Sequence, residues 1–132
     1  MMSLLLRLDK NETYASVVWH DSVRHPGVRF AIRRASLLQR IELTRALKAL
    51  TAKEEFLRAG DALEEADAAL ADLLAKKLYL EWAVADLAGL SIDGHPADVN
   101  SLVARGPEDL CDEIVETIRA SLELTEQETK NS

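Results

Sequence analysis

The sequence is poor in glycine, proline, cysteine and aromatic residues, and each shortage excludes a class of protein. Five glycines and three prolines are too few for the many tight turns of a β-sandwich or a β-barrel. The lone cysteine, Cys111, excludes an internal disulfide framework and leaves at most one thiolate for a zinc site. Aromatic residues are 5% of the 132 residues and hydrophobic residues 48%, so the core of a single domain must consist of aliphatic side chains.

Long apolar runs are lacking as well. Three leucines, Leu4 to Leu6, are followed by Arg7, whereas a signal peptide needs about 7–15 apolar residues and a membrane-spanning helix about 20. We therefore expect a soluble protein with no membrane association, and the single thiol is typical of the reducing cytoplasm.

Recognisable catalytic and metal-binding motifs are also missing. His20 and His25 have no zinc-ligand spacing, so we expect them in exposed loops, with His95 at the surface. The sequence contains no glycine-rich phosphate loop, no serine elbow and no HExxH motif. Cys111 lies on the apolar side of a predicted helix, where cysteine is usually a small hydrophobic residue, and a pairing with His95 is the one catalytic alternative. We expect no enzyme, no catalytic residue, no metal and no cofactor.

The first 34 residues predict an extended segment. Val17 to Trp19 and Val28 to Arg33 are rich in β-branched and aromatic residues, and the turn dipeptide Pro26-Gly27 lies between them. A short β-hairpin is the simplest pairing. Because an isolated hairpin is marginally stable, it must pack against the helices or another chain.

Two helices are predicted next, joined by Gly60-Asp61, with Glu64 completing a capping box. The first begins near Ser36, and its leucines recur at helical spacing (Leu43, Leu47, Leu50 and Leu57). The second spans about residues 62–88 and carries a heptad seam (Leu63, Ala66, Leu70, Leu73, Leu80, Val84 and Leu87). The short junction predicts an antiparallel helical hairpin with Leu73 buried in its seam, and an intermolecular coiled coil is the alternative.

The C-terminal part predicts two further helices. Asp93-Gly94 indicates a turn, Asp98 caps a short helix, and Pro107 begins a last helix whose buried face contains Leu110, Ile114, Ile118 and Leu122. The predicted fold is therefore mostly α, an antiparallel helical hairpin plus C-terminal helices with a short extended or β segment near the N-terminus. As a single domain it divides into the extended segment 1–34, a helical part 35–122 and a disordered tail 123–132.

Charge is unevenly distributed along the chain, whose net charge is −7. Residues 1–50 contain nine basic and four acidic residues, whereas residues 51–132 contain seven and nineteen. We expect four arginines of the basic run from Arg24 to Arg45 to contact acidic protein surface, on this chain or on a neighbouring copy, so that the protein self-associates. The predicted partner-binding residues are these four and two aromatic residues off the heptad seam: Arg29, Arg33, Arg34, Arg40, Tyr79 and Trp82. The alternative interpretation of the run is a nucleic-acid-binding or regulatory module.

Residues 79–122 resemble the tail assembly chaperones of long-tailed bacteriophages and prophages. The resemblance lies in the order of a tryptophan on a helix, a closing glycine, an Asp-Gly turn, a short helix and a last helix. Here these elements occupy Leu80 to Leu90, Ile92 to Ala97 and Gly106 to Ile114.

This resemblance implies a binding protein. Such chaperones coat the long, helical tape-measure protein and keep it soluble in the host cytoplasm until tail-tube subunits polymerise around it. The implied partner is therefore the tape-measure protein or another tail protein. A virion structural protein is the further alternative.

Overall fold

The computed structural model describes residues 12–59 and 65–131, with side chains described for 12–53 and 68–123. In this part of the chain, two strands are followed by two helices, three further strands and two further helices. The order is β1 (Val17–Asp21), β2 (Arg29–Arg33), α1 (Leu37–Ala59), α2 (Glu65–Ala83), β3 (Val84–Ala88), β4 (Ser91–Ile92), β5 (His95–Pro96), α3 (Val99–Arg105) and α4 (Glu108–Asn131). The fold is mixed α/β, so the prediction of a mostly α protein was wrong.

The predicted N-terminal hairpin is confirmed. β1 pairs antiparallel with β2, with Val17 opposite Arg33 and Asp21 opposite Arg29. Its turn contains Gly27, whose φ of 93° lies in the left-handed region that favours glycine. β2 contributes Phe30 and Ile32 to the core, and both are almost fully buried.

The second predicted helix ends early, at Ala83, and the chain continues as strand β3. β3 pairs antiparallel with β2, opposing Leu87 to Phe30, and completes a sheet of order β1-β2-β3. The Ala-rich sequence favours a helix locally, but the second edge of β2 offers backbone hydrogen bonds and buries Leu87. Tertiary pairing therefore overrides the helical pattern in residues 84–88.

The turn at Asp93-Gly94 and the cap at Asp98 are confirmed. Asp93 and Gly94 have positive φ values of 54° and 82° and connect β4 to β5 in a second, two-stranded sheet. Asp98 accepts a hydrogen bond from the backbone of Ser101, whose hydroxyl accepts one from the backbone of Asp98. This capping box begins α3.

The core lies between the three-stranded sheet and helices α2, α3 and α4. Leu110, Ile114 and Ile118 of α4 are fully buried, as the helical spacing predicted, and Leu102 of α3 packs with them. α4 continues to Asn131, so the backbone of residues 123–131 is helical rather than disordered. A helix that is already nucleated adds residues at little cost.

The predicted seam on α2 is buried only toward the C-terminal end of the helix, where Leu80 lies. α2 does pack against α1, but Leu70 and Leu73 of the seam are about half exposed. Leu80 is buried because α2 also packs against α3 and α4, and Val84 and Leu87 are buried as residues of β3. The predicted junction Gly60-Asp61 with Glu64 lies outside the described residues.

Candidate functional site

A row of leucines on α2 is only about half covered by the rest of the described chain. Leu70, Leu73 and Leu74, here called the α2 ridge, have helical spacing i, i+3 and i+4 and therefore share one side of the helix. Their exposed fractions are 53%, 50% and 39%. Lys77 and Glu81 continue this side toward the end of α2, and their side chains form an ion pair with an N–O distance of 3.3 Å.

Two grooves lie on either side of the α2 ridge. The first runs between α1 and α2, where Ala46, Ala49 and Leu50 face Leu74 and Leu78. The second groove runs between α2 and the two C-terminal helices. Its apolar lining is Leu73, Leu74, Leu80, Leu102, Val103 and Cys111. Because Leu74 lines both grooves, the ridge and the grooves form one continuous apolar face, here called the docking face.

Charged groups line the edges of the docking face. Lys76 Nζ lies 3.0 Å from Asp112 Oδ1 and joins α2 to α4. The hydrogen bond from Lys76 to Asp112, together with the charge of that carboxylate, raises the pKa of Lys76 above its ordinary value. Lys53 borders the first groove and Glu108 the second, so the apolar centre is surrounded by charges of both signs.

Cys111 lies in the lining of the second groove. Burial, followed by the neighbouring carboxylates of Asp112, Glu108 and Asp109, raises the pKa of its thiol. Its Sγ lies 3.9 Å from the carbonyl oxygen of Leu102. A half-buried thiol with a raised pKa is a weak nucleophile, so Cys111 contributes apolar surface to the groove.

The beginning of α1 carries a second exposed apolar patch. Leu37, Leu38 and Ile41 are 79%, 64% and 41% exposed. Unlike Leu73 and Leu74, these side chains do not line either groove of the docking face. Substitutions in this patch can therefore serve as controls for substitutions in the α2 ridge, because both surfaces are exposed and apolar.

The predicted partner-binding arginines lie in different places. Arg29 pairs with Asp21 across the hairpin at 3.1 Å and stacks on the ring of Trp19. Arg33 donates to the carbonyl oxygen of Val84 at 2.9 Å. Arg34 lies over the ring of Tyr14.

Arg40, Tyr79 and Trp82 lie at helix contacts. Arg40 and Tyr79 line a cleft between α1 and α4, where Arg119 stacks on the Tyr79 ring at 5.1 Å. Trp82 Nε1 donates to the carbonyl oxygen of Gln39 at 3.1 Å and fixes α2 to α1. The structure therefore does not bring the six predicted residues together into one surface.

Arg24, which was not among the predicted partner-binding residues, connects the hairpin turn to α4. Its guanidinium donates to the carbonyl oxygen of Asp109 at 3.0 Å and pairs with Glu116 at 3.3 Å. His25 lies beside it, with Nε2 2.9 Å from Asp109 Oδ1.

His20 stacks on Phe30, on the core side of β1. The expectation of exposed loop histidines was therefore wrong for His20, which is a half-buried residue of β1. His25 does lie in the loop between β1 and β2, where its side chain is partly exposed. His95 is exposed on β5, as expected.

In the part of the chain that the structure describes, no group of three or more histidine, cysteine or acidic residues is placed to hold a metal ion. Within the same residues, no helix is both long enough and apolar enough to cross a membrane.

No protein-family model, curated protein or solved structure matches this chain. The candidate site therefore rests on the geometry of its own residues.

Sequence reasoning assigned Leu70 and Leu73 to the core and missed the docking face. The available signal was the distribution of apolar residues around α2, since Leu73, Leu74, Tyr79 and Trp82 point to almost every side of the helix. A helix that is apolar all round is normally covered on all sides. In this structure α1, α3 and α4 pack against α2 and leave the ridge open.

Proposed function

We propose that this protein is a non-enzymatic tail assembly chaperone that binds an apolar helical segment of a phage tape-measure protein. The observation that carries the proposal is the α2 ridge with its two grooves, a continuous apolar face in the described part of the chain. The resemblance of residues 79–122 to such chaperones names the class of client.

The shape of the docking face fits an amphipathic helix. Helix-in-groove recognition places apolar residues at i, i+3, i+4 and i+7 of the client against an apolar groove. The open leucines Leu70, Leu73 and Leu74 would lose their remaining contact with water, at about 25 cal/mol per Å² of apolar surface covered. Ion pairs at the rim, such as Lys77 with Glu81, add specificity more than affinity.

The overall charge fits the holding of an apolar client in solution. A net charge of −7 on 132 residues disfavours the association of loaded complexes into aggregates. Many copies bound along one long client would act together through multivalency, so each contact can be weak. The proposal places this activity in the host-cell cytoplasm during tail assembly.

Co-expression with the tape-measure protein of the same phage or prophage tests the proposal. The chaperone should keep that protein in the soluble fraction. The ridge variant Leu70→Gln/Leu73→Gln/Leu74→Gln should lose this effect while staying folded, with a somewhat lower melting temperature, since about half of each replaced side chain is already exposed. The matched control is Leu37→Gln/Leu38→Gln, which removes exposed leucines outside the docking face and should behave like the wild type.

Two results would contradict the proposal. If the ridge variant keeps the tape-measure protein as soluble as the wild type does, the docking face does not bind it. Recovery of the protein in purified virions would identify a structural component instead, because a chaperone leaves before the particle is complete. Gene neighbours concerned with replication or repression would favour the regulatory alternative.

A further inference from the structure

The outer edge of β1 is open in the part of the chain that the structure describes. β1 is the first strand in the sheet order β1-β2-β3, and no strand within residues 12–59 and 65–131 pairs with its other side. Ser16 and Ser22 flank β1, and their backbone groups bond to Arg34 and Val28, the residues that flank β2. Because hydrogen-bonded positions alternate in an antiparallel pair, the N–H and C=O groups of Val17, Trp19 and Asp21 point away from β2.

The opposite edge of the same sheet is protected. On β3, the N–H of Leu87 donates to the carboxylate of Asp86 at 2.8 Å, and helix α3 packs against the strand. These are common ways to prevent a sheet edge from pairing with another chain. The β3 edge of the sheet is therefore protected from further pairing, whereas the β1 edge is open in the described part of the chain.

β1 has none of these protections along its paired length. Its sequence, Val17-Val18-Trp19-His20-Asp21, contains three strong strand formers and neither lysine nor proline. Trp19 is 40% exposed, although its ring already stacks with Arg29. An open edge of this kind is a template for one more strand.

We propose that β1 pairs antiparallel with β1 of a second copy of this chain, with the two-fold axis at Trp19. The occupant is a second copy because the strand is self-complementary in one register. With Trp19 opposite Trp19, all five residues of β1 are paired, and the outward groups of Val17 meet those of Asp21 in the second copy.

Repulsion between like charges disfavours the neighbouring register. A pairing centred on Asp21 would place two carboxylates opposite each other, which is unfavourable. In the Trp19-centred pairing, Asp21 lies opposite the uncharged Val17 of the second copy and keeps its ion pair with Arg29 of its own chain. The two three-stranded sheets then form one six-stranded sheet.

This interface is separate from the docking face, because it uses β1 rather than α2. A failure of the proposed dimer therefore leaves the proposed chaperone function untouched, and the reverse holds as well. A dimer would place two docking faces in one particle, which favours simultaneous contact with a long client.

The oligomeric state of the full chain tests the proposal. Sedimentation equilibrium between about 5 and 500 μM should show a reversible dimer, because the paired area is below that of a standard stable interface. Val17→Pro removes an outward N–H, as edge strands tolerate, and by symmetry removes two bonds per dimer. We expect it to weaken the dimer about tenfold or more, whereas Val17→Ala keeps the N–H and should weaken it much less. Equal effects of the two variants would overturn the backbone pairing.

Amide hydrogen exchange of the wild type tests the pairing of β1 with a second copy even if Val17→Pro fails to fold. Slower exchange of Val17, Trp19 and Asp21 at high than at low protein concentration supports the proposal. Fast exchange at every concentration overturns it. Slow exchange in a monomer also overturns it, and would mean that the chain's own first eleven residues cover the edge.

Discussion

Ser22 Oγ donates a 2.6 Å hydrogen bond to Oε1 of Glu113, a residue 91 positions later in the chain. Glu113 is buried, and its other carboxylate oxygen accepts from the backbone N–H of Val23 at 2.7 Å. The hydroxyl of Ser22 in turn accepts from the backbone N–H of His25. One buried carboxylate thereby fixes the turn of the β1–β2 hairpin to helix α4.

This carboxylate should make the protein sensitive to acid. Burial alone would raise the pKa of Glu113, but hydrogen bonds from Ser22, Val23 and Arg24, together with the charge of Arg24, lower it below the ordinary value of 4.5. The folded state therefore binds fewer protons than the unfolded state, and stability falls as the pH drops from about 4.5 through the folded pKa. Denaturant unfolding across pH 2–7 should show a shallower decrease for Glu113→Gln, whereas parallel curves would contradict this role.

A side chain at Gly89 should destabilise the fold. Gly89 has a φ of 76°, and a Cβ there would collide with the backbone carbonyl of Gly27, in the turn between β1 and β2. We expect Gly89→Ala to lower the free energy of unfolding by about 2 kcal/mol or more. Gly94→Ala is the matched control, because Gly94 has a φ of 82° but open space around it, and should cost only about 1 kcal/mol. Denaturant unfolding of both variants checks this, and equal losses would show that the close approach to Gly27 is unimportant.

A charge on the α2 ridge should be tolerated. The seam predicted from the sequence implies that Leu73→Asp unfolds the protein, but Leu73 is half exposed and the new carboxylate would be hydrated. We expect a loss of about 1 kcal/mol, mostly from helix propensity. Leu80→Asp, two turns later and buried, should lose more than about 4 kcal/mol because it buries an unpaired charge. Thermal melts of the two variants distinguish these cases. If Leu73→Asp unfolds the protein, Leu73 is a core residue, as the seam predicted.

The arginines of the hairpin should not support tight binding of nucleic acid. Arg29 pairs with Asp21, and Arg33 donates to the backbone of β3, so phosphate would have to displace protein partners. Anisotropy titrations at physiological salt should give a dissociation constant for duplex DNA no tighter than about 10⁻⁴ M. Micromolar binding that disappears in Arg33→Glu/Arg34→Glu would instead support the nucleic-acid alternative.

Local signals in the sequence were sufficient for several elements. The turn at Asp93-Gly94, the cap at Asp98 and the presence of the β1–β2 hairpin all follow from residue preferences within short segments. The buried face of α4 could also be predicted, because its apolar residues lie on one stripe and its other sides are charged.

Two features depend on contacts that the sequence does not display. Residues 84–88 form a strand because β2 is beside them, although their composition suits a helix. α2 carries apolar residues on several sides and along its whole length, so periodicity alone cannot decide which of them are covered. The seam correctly predicted the core residue Leu80, but it also included Leu73, which is half exposed on the docking face.

The proposed function depends on the affinity of the docking face for its client. Peptides that tile the tape-measure protein would be titrated against the wild type and the ridge variant Leu70→Gln/Leu73→Gln/Leu74→Gln. Each leucine, half covered already, should contribute about 1 kcal/mol, so the tightest peptide should bind the ridge variant about a hundredfold more weakly. A dissociation constant within about twofold of the wild-type value would mean that the docking face does not bind the client.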